Sequence, residues 1–284
     1  MLISPRDLLE TARRNVYAIG AFNIYNLEGV QAVVKAAETL YSPAMLQIHP
    51  SSLKYGGSPL VALCLGAARQ AAVPLAVHLD HSTSATAIQT VLAAGVNSIM
   101  ADGSPFPYSE NLAFTKEMTQ LAHSCGAVVE AEIGRISGTE DGLTVEEKEA
   151  LMTDPYQAAE FVAATGVDAL AVTIGNVHGE YRSPPRLDFE RLAVIRKLVD
   201  IPLVLHGASG LPAEMIDKSI ELGVCKFNVN TEVRSSYLRC LKTDLSAAKM
   251  PDLLDLMENA TNTMQVVITE KLELFGSVGK AHLH

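Results

Sequence analysis

The sequence is poor in the features that mark several common protein classes. Its four cysteines, Cys64, Cys125, Cys225 and Cys240, are scattered and form no C-x-x-C pair. That argues against a disulfide framework and against a cysteine zinc site. No dense Lys/Arg cluster is present, and the formal net charge is -10. An acidic chain of this kind is a poor partner for nucleic acid or an anionic membrane. No apolar run approaches membrane-spanning length, and the opening MLISPRDLLETARR has no signal-peptide apolar core. A cytoplasmic setting is expected. An anionic substrate would need local compensation by a metal or by backbone amides.

What is present is apolar and regular. Of 284 residues, 48% are hydrophobic, and the mean hydropathy is +0.19. Eight short apolar runs read as buried strands, at residues 18–23, 44–48, 74–79, 98–101, 128–133, 169–174, 202–205 and 226–229. Helical segments are expected between them, at 27–38, 59–71, 85–93, 109–125, 156–165, 189–197 and 213–222. Gly95, Gly126, Gly166 and Gly223 each follow a helical segment and precede a strand, which is a helix C-terminal signal. Strands this uniformly apolar are parallel strands covered by helices. Eight such units predict an α/β fold, a (β/α)8 TIM barrel. An open doubly wound sheet is the alternative, but no G-x-G-x-x-G follows the first run. No linker divides the chain, so one domain is expected, with a barrel over about 15–239 and additional C-terminal helices over about 240–284. The polar connection 134–155 is longer than the others and reads as a solvated loop or a mobile lid.

The chemistry gathers at the strand ends. Asn23, Gln47, His49, Asp80, His81, Asp102, Glu132, His178, His206 and the runs 207–210 and 228–231 all fall there. In a barrel the C-terminal strand ends build the site. His81, His178 and His206 follow strands three, six and seven and are candidate metal ligands. Taken singly, each has an ordinary reading, as a capping, an exposed or a core histidine. His78, deeper in its strand, reads as core. Asp80 is either a general acid/base or a carboxylate that orients an imidazole. Asp102 and Glu132 either hold an alternate metal position or orient ligands. Gly207-Ala208-Ser209-Gly210 and Asn228-Val229-Asn230-Thr231 stand where many barrels bind phosphate through backbone amides.

These residues give the chain a resemblance to the class II, zinc-dependent ketose-bisphosphate aldolases, closest to the tagatose- and fructose-bisphosphate group. AFN, HLDHS, EAEIG with GTEDG, NVHG, LHGASG and KFNVNTE carry it across about residues 1–239. The resemblance implies one catalytic Zn2+ per subunit on His81, His178 and His206, with Asp102 and Glu132 near an alternate metal position. It makes Asp80 the group that protonates the aldehyde oxygen, or takes that proton in cleavage. Glu140 becomes the base at the nucleophilic carbon, and Asn228 a contact to the enediolate. Gly179, Gly207, Ser209, Asn230 and Thr231 would surround the phosphate of dihydroxyacetone phosphate, with a monovalent cation, Na+ or K+, nearby. The implied reaction is reversible cleavage of a ketose 1-phosphate or ketose 1,6-bisphosphate through a zinc-stabilised enediolate. The implied assembly is a homodimer or homotetramer, and the partner is a small sugar phosphate.

Two departures from that family bear on the substrate. The second strand ends in Gln47-Ile48-His49-Pro50-Ser51-Ser52 instead of a serine-bearing, glycine-rich loop. After Arg239 the chain has no arginine, only Lys242, Lys249, Lys271 and Lys280. The aldehyde half is therefore expected to differ, and a non-phosphorylated aldehyde is one alternative. A barrel zinc hydrolase would explain the histidines but not the phosphate loops. A non-catalytic homologue would not need every matched position filled. A Schiff-base aldolase needs a lysine at a strand's C-terminal end, and Lys226 is expected to open the last strand at the other end.

Overall fold

A computed structural model describes residues 1–140, 143–145, 151–179, 181, 183–247 and 249–284, apart from the side chains of 139, 140 and 143–145. Eight parallel strands close a barrel. They are β1 (Ile19–Asn23), β2 (Ala44–Ile48), β3 (Leu75–Ser82), β4 (Ser98–Ala101) and β5 (Val128–Ile133), followed by β8 (Ala169–Val172), β10 (Leu203–Leu205) and β11 (Val224–Val229). Each pairs with the next in that order, and β11 pairs with β1 to complete the ring. This is the expected (β/α)8 barrel.

Strand alternation explains why apolar runs carry polar residues without exposing them. Successive side chains point to opposite faces. One phase, including Phe22, Leu46, Val77, Ile99, Val129, Leu170, Leu205 and Phe227, packs outward in the large core beneath the helices. The other phase, including Ile19, Met45, Ala76, Met100, Ala171 and Val204, forms a separate inner core. Helix α1 (Pro5–Arg14) plugs the barrel floor by adding Leu8, Leu9 and Ala12 to that inner core. Above this plug the inward positions turn polar: Asn23, Gln47, His78, Asp80, Glu130, Glu132, His206, Lys226 and Asn228 are all buried. The floor is apolar and the mouth is polar.

The surrounding helices are α2 (Leu27–Thr39), α3 (Pro50–Gln70), α4 (Ala85–Ala93), α5 (Tyr108–Ser124), α6 (Pro155–Thr165), α7 (Phe189–Leu198), α8 (Ala213–Glu221) and α9 (Thr231–Leu245). Several start on side-chain caps, such as Asn26 to Gly29 N, Ser84 to Ala87 N and Asp188 to Arg191 N. Helix α3 begins earlier than the apolar pattern suggests. His49 caps it, Pro50 occupies its first turn, and it kinks at Gly57 (φ 57°) before Pro59. Helix α9 runs unbroken across residue 239, and α10 (Leu253–Leu274) packs on α2 and α9.

The long connection contains structure that hydrophobic periodicity does not reveal. Strands β6 (Ser137–Glu140) and β7 (Leu143–Val145) form a hairpin, and β6 pairs in parallel with β9 (Val177–His178). Among the described residues no helix is long and apolar enough to cross a membrane.

Candidate active site

The rim of β3 places two neighbouring residues in one mouth. In a regular strand Asp80 and His81 would face opposite sides. Here the register with β4 shifts between Leu79 and Ser82, and His81 adopts φ 41°. A bulge at a barrel rim re-aims side chains in this way, and a non-glycine residue at positive φ persists only where its surroundings hold it. Asp80 stays inside the barrel while His81 joins the other two histidines. The ring centroids lie 4.6 Å apart for His81 and His206, 5.2 Å for His81 and His178, and 6.0 Å for His178 and His206. One ligand atom from each of the three lies within 4.8 Å of the others.

Carboxylates set the orientation of two of the rings. His81 Nδ1 is 2.7 Å from Asp102 Oδ2, and Ser104 N donates to Asp102 Oδ1 at 3.0 Å. With Nδ1 engaged, Nε2 is the nitrogen with which His81 can bind a metal. His206 is engaged at the opposite atom, with Nε2 2.9 Å from Glu130 Oε1. Its Nδ1 is buried and has no hydrogen-bond partner, and Glu132 Oε2 stands 3.8 Å away. An orphaned buried ring nitrogen among convergent imidazoles fits a divalent metal, and carboxylate-backed histidines are the usual arrangement around one. His81, Asp102 and Glu132 form a second group that could hold a metal, also with ligand atoms within 4.8 Å.

Charge at the mouth is strongly shaped by burial. Burial alone would raise the Asp80 carboxyl, but the neighbouring His81 and Lys226 side chains outweigh it and hold Asp80 well below the usual carboxylate range. Three amides surround the same group: Asn23 Nδ2 and Gln47 Nε2 donate to Oδ2 at 3.2 and 3.3 Å, and Asn228 Nδ2 donates to Oδ1 at 3.1 Å. Burial, with Asp102 adding to it, pushes the Glu132 carboxyl well above its usual range.

The loops beside the histidines interlock. Asn176 is buried, accepts from Ile174 N at 2.8 Å and donates to His206 O at 3.1 Å. The Tyr181 hydroxyl accepts from Val177 N at 3.2 Å and donates to Gly207 O at 3.0 Å. These bonds fix the His178 loop onto the loop after β10. A cavity of about 580 Å³ lies alongside, lined by Gly179, Tyr181, Ser209, Gly210, Thr231 and Arg239 among others. Tyr25 donates to Asn230 Oδ1 at 2.7 Å, and Glu232 Oε1 accepts from Gly210 N at 2.7 Å. Lys271 pairs with Glu232, which ties α10 to this rim.

Most of the expected residues therefore converge, though not all in the same way. Ala208 and Val229 pack in the outer core, so only their backbone can reach a ligand. The Glu140 backbone belongs to β6, beside the His178 strand, and its side chain lies outside the described residues. His49 caps α3, with Nδ1 2.8 Å from Ser51 Oγ and its ring 6.3 Å from that of His81. Glu130, Asn176, Tyr181 and Gln47's bonds to the Asp80 cage escape a reading of strand ends. Glu130 had one signal, because it stands two residues from Glu132 and so shares its face. Lys226 does not open β11. It is the third residue of the strand, buried inside the barrel with Nζ 2.8 Å from Glu130 Oε2.

Solved structures place this arrangement among the class II aldolases. The chain is 35% identical to the YdjI aldolase from Escherichia coli K12, covering 99% of this chain and 100% of that one with a TM-score of 0.87. A structure provisionally described as a fructose-1,6-bisphosphate aldolase from Coccidioides immitis is 39% identical, with coverage of 98% and 97% and a TM-score of 0.92. Fructose-bisphosphate aldolase from Campylobacter jejuni shares the fold at 21% identity, with coverage of 98% and 97% and a TM-score of 0.82. The chain belongs to the class-II fructose-bisphosphate aldolase family, whose sequence model matches residues 3–280, and it is an aldolase, a carbon–carbon lyase. The family is generally zinc-dependent.

Proposed function

We propose that this aldolase reversibly cleaves a ketose 1-phosphate or ketose 1,6-bisphosphate to dihydroxyacetone phosphate and an aldehyde. The observation that carries the reading is the convergence of His81, His178 and His206 beside the Asp80 amide cage. The three imidazoles would hold Zn2+, with Asp102 and Glu132 offering an alternate position. When bound, the metal supplies Lewis-acid stabilisation of the negative charge that develops as the carbon–carbon bond breaks.

The chain's own groups do the rest. Asp80 is an ionised acceptor that takes the proton of the hydroxyl destined to become the aldehyde oxygen. In the synthetic direction it returns that proton. Asn23, Gln47 and Asn228 fix its orientation, and Asn228 Oδ1, buried without a protein partner, is available to a substrate hydroxyl. Glu140 moves the proton at the nucleophilic carbon. Gly179, Gly207, Ser209, Asn230 and Thr231 bind the phosphate, aided by the start of α9 and by a monovalent cation, Na+ or K+. His49 borders the aldehyde side, where the bulkier Gln47–Ser52 segment suits an aldehyde unlike that of fructose bisphosphate, including one without phosphate.

A cytoplasmic homodimer or homotetramer is the proposed form. Leu238, Leu245, Leu253 and Leu254 on α9 and α10 are exposed and supply apolar surface for it. The experiment is to measure dihydroxyacetone phosphate released from a panel of ketose phosphates, with and without chelator and with borohydride. Release that stops with chelator and returns with zinc is expected. Chelator-insensitive cleavage, or a borohydride-trapped lysine adduct, would exclude the metal mechanism. Fructose 1,6-bisphosphate turnover as fast as that of every alternative would exclude the distinct aldehyde.

A further inference from the structure

Below the three imidazoles the barrel holds a charged chain that the proposed reaction does not use. Lys226 Nζ lies 2.8 Å from Glu130 Oε2, and Glu130 Oε1 lies 2.9 Å from His206 Nε2. All three side chains are buried. A buried ion pair is weak support for stability, since apolar replacements of similar volume often do as well. Its value here is chemical. An ionised carboxylate only accepts hydrogen bonds, so the proton between Glu130 and His206 sits on Nε2. The lone pair then sits on Nδ1, the buried ring nitrogen that has no hydrogen-bond partner.

Lys226 is the group that keeps this arrangement in place. Its ammonium occupies the second carboxylate oxygen, so Glu130 can neither turn that oxygen to His206 nor present an O–H to it. An O–H donated to Nε2 would move the imidazole proton to Nδ1 and block ligation there. His78 Nε2, 3.9 Å from the same oxygen, is the other nearby base. Burial and the charge of Lys226 lower its pKa to about 4, so as a neutral ring it lends no charge.

We propose that Lys226 is a positioning residue for the metal ligand His206, acting through Glu130 to hold the tautomer with an open Nδ1. The inference rests on the reading of His206 as a ligand. The test uses full-length protein stripped of metal. Zinc affinity is measured by competition with a chromophoric chelator, and the His206 tautomer by 15N NMR of the metal-free protein. Lys226→Met should weaken zinc binding roughly 10- to 100-fold, the range seen when such outer partners of a ligand are lost. It should also move the proton toward Nδ1, while Lys226→Arg, which keeps the charge, should restore most of the affinity.

Unchanged zinc affinity in Lys226→Met would overturn the inference, as would a protonated Nδ1 in the unsubstituted metal-free protein. If Lys226→Met does not fold, Lys226→Gln removes the charge while leaving the Glu130 carboxylate in place, so zinc affinity and the His206 tautomer still report on Lys226. Weakened zinc binding with a mixed tautomer supports the role, and unchanged binding with an unchanged tautomer refutes it. Failure of the unsubstituted protein to bind zinc would instead defeat the metal reading, which the tautomer measurement separates from this one.

Discussion

The carbonyl oxygen of Val177 occupies the space beside Gly207 so closely that a Cβ there would lie 2.2 Å from it. Gly207 also has φ 66°, in the left-handed region that disfavours other residues. The glycine therefore has a role apart from the proposed phosphate contact. It lets the loop after β10, carrying His206, seat against the loop carrying His178. Gly207→Ala should force the two loops apart, cost about 2 kcal/mol or more in unfolding free energy and weaken metal binding. Urea unfolding and zinc titration measure the two effects. A variant with unchanged stability and metal affinity would show that the loops separate at no cost.

The Asp102–His81 bond makes a sharper prediction, because both carboxylate oxygens have assigned partners. Oδ1 accepts from Ser104 N and Oδ2 from the His81 ring. In Asp102→Asn the amide oxygen keeps the Ser104 bond, and the NH2 group faces His81 Nδ1. That nitrogen must then accept, which moves the ring proton to Nε2, the proposed ligand atom. Metal affinity should fall about 10- to 100-fold, as for other outer-shell substitutions, with little change in far-ultraviolet circular dichroism. Retained affinity would mean that His81 binds through another atom.

Much of this organisation was legible in the sequence, and the parts that were not share a physical cause. The eight barrel strands could be read because both of their faces are buried, which leaves runs such as AIGAFN and VVEAEI unbroken by solvent-facing residues. The histidines could be read because each follows such a run. Helix α1 escaped because its apolar positions Leu8, Leu9 and Ala12 match no strand pattern and were weighed only as a leader. The β6–β7 hairpin escaped because its pairing with His178 is made by backbone, close enough that a Cβ on Gly138 would lie 2.0 Å from His178 O. Glu130 escaped because it sits in mid-strand, where a sequence reading expects packing, and Lys226 because the last strand begins at Val224, two residues before the apolar run suggests. Only the closed ring brings β5 and β11 face to face across the interior.

In the proposed reaction Asp80 sits where catalysis and structure can be separated by one atom. Asn23, Gln47 and Asn228 all direct amide donors at its oxygens. Asp80→Asn keeps the shape of the side chain but removes the acceptor that the proposed reaction needs for the hydroxyl proton. It also sets an amide donor against amide donors. Loss of a positioned acid/base typically costs about 10²- to 10⁴-fold in rate. The fall should appear in kcat for cleavage, with zinc stoichiometry intact and KM little changed. A loss confined to KM would place Asp80 in substrate binding instead.

Stability at mildly acidic pH should report on His78. Its Nδ1 is 2.7 Å from Ser98 Oγ inside the barrel. Burial, reinforced by the charge of Lys226, lowers its pKa from 6.5 to about 4. The unfolded chain therefore binds a proton at His78 below pH 6.5, whereas the folded chain does not until about pH 4. Unfolding takes up that proton, so the stability tied to a neutral His78 is complete above 6.5 and is lost as pH falls toward 4. A shift of this size corresponds to something on the order of 3 kcal/mol across the window. His78→Gln cannot titrate and should flatten that part of the profile. Urea unfolding of the metal-free proteins at several pH values across the window gives the comparison. Parallel profiles for the two proteins would show that His78 is charged in the barrel or that another group governs the acid side.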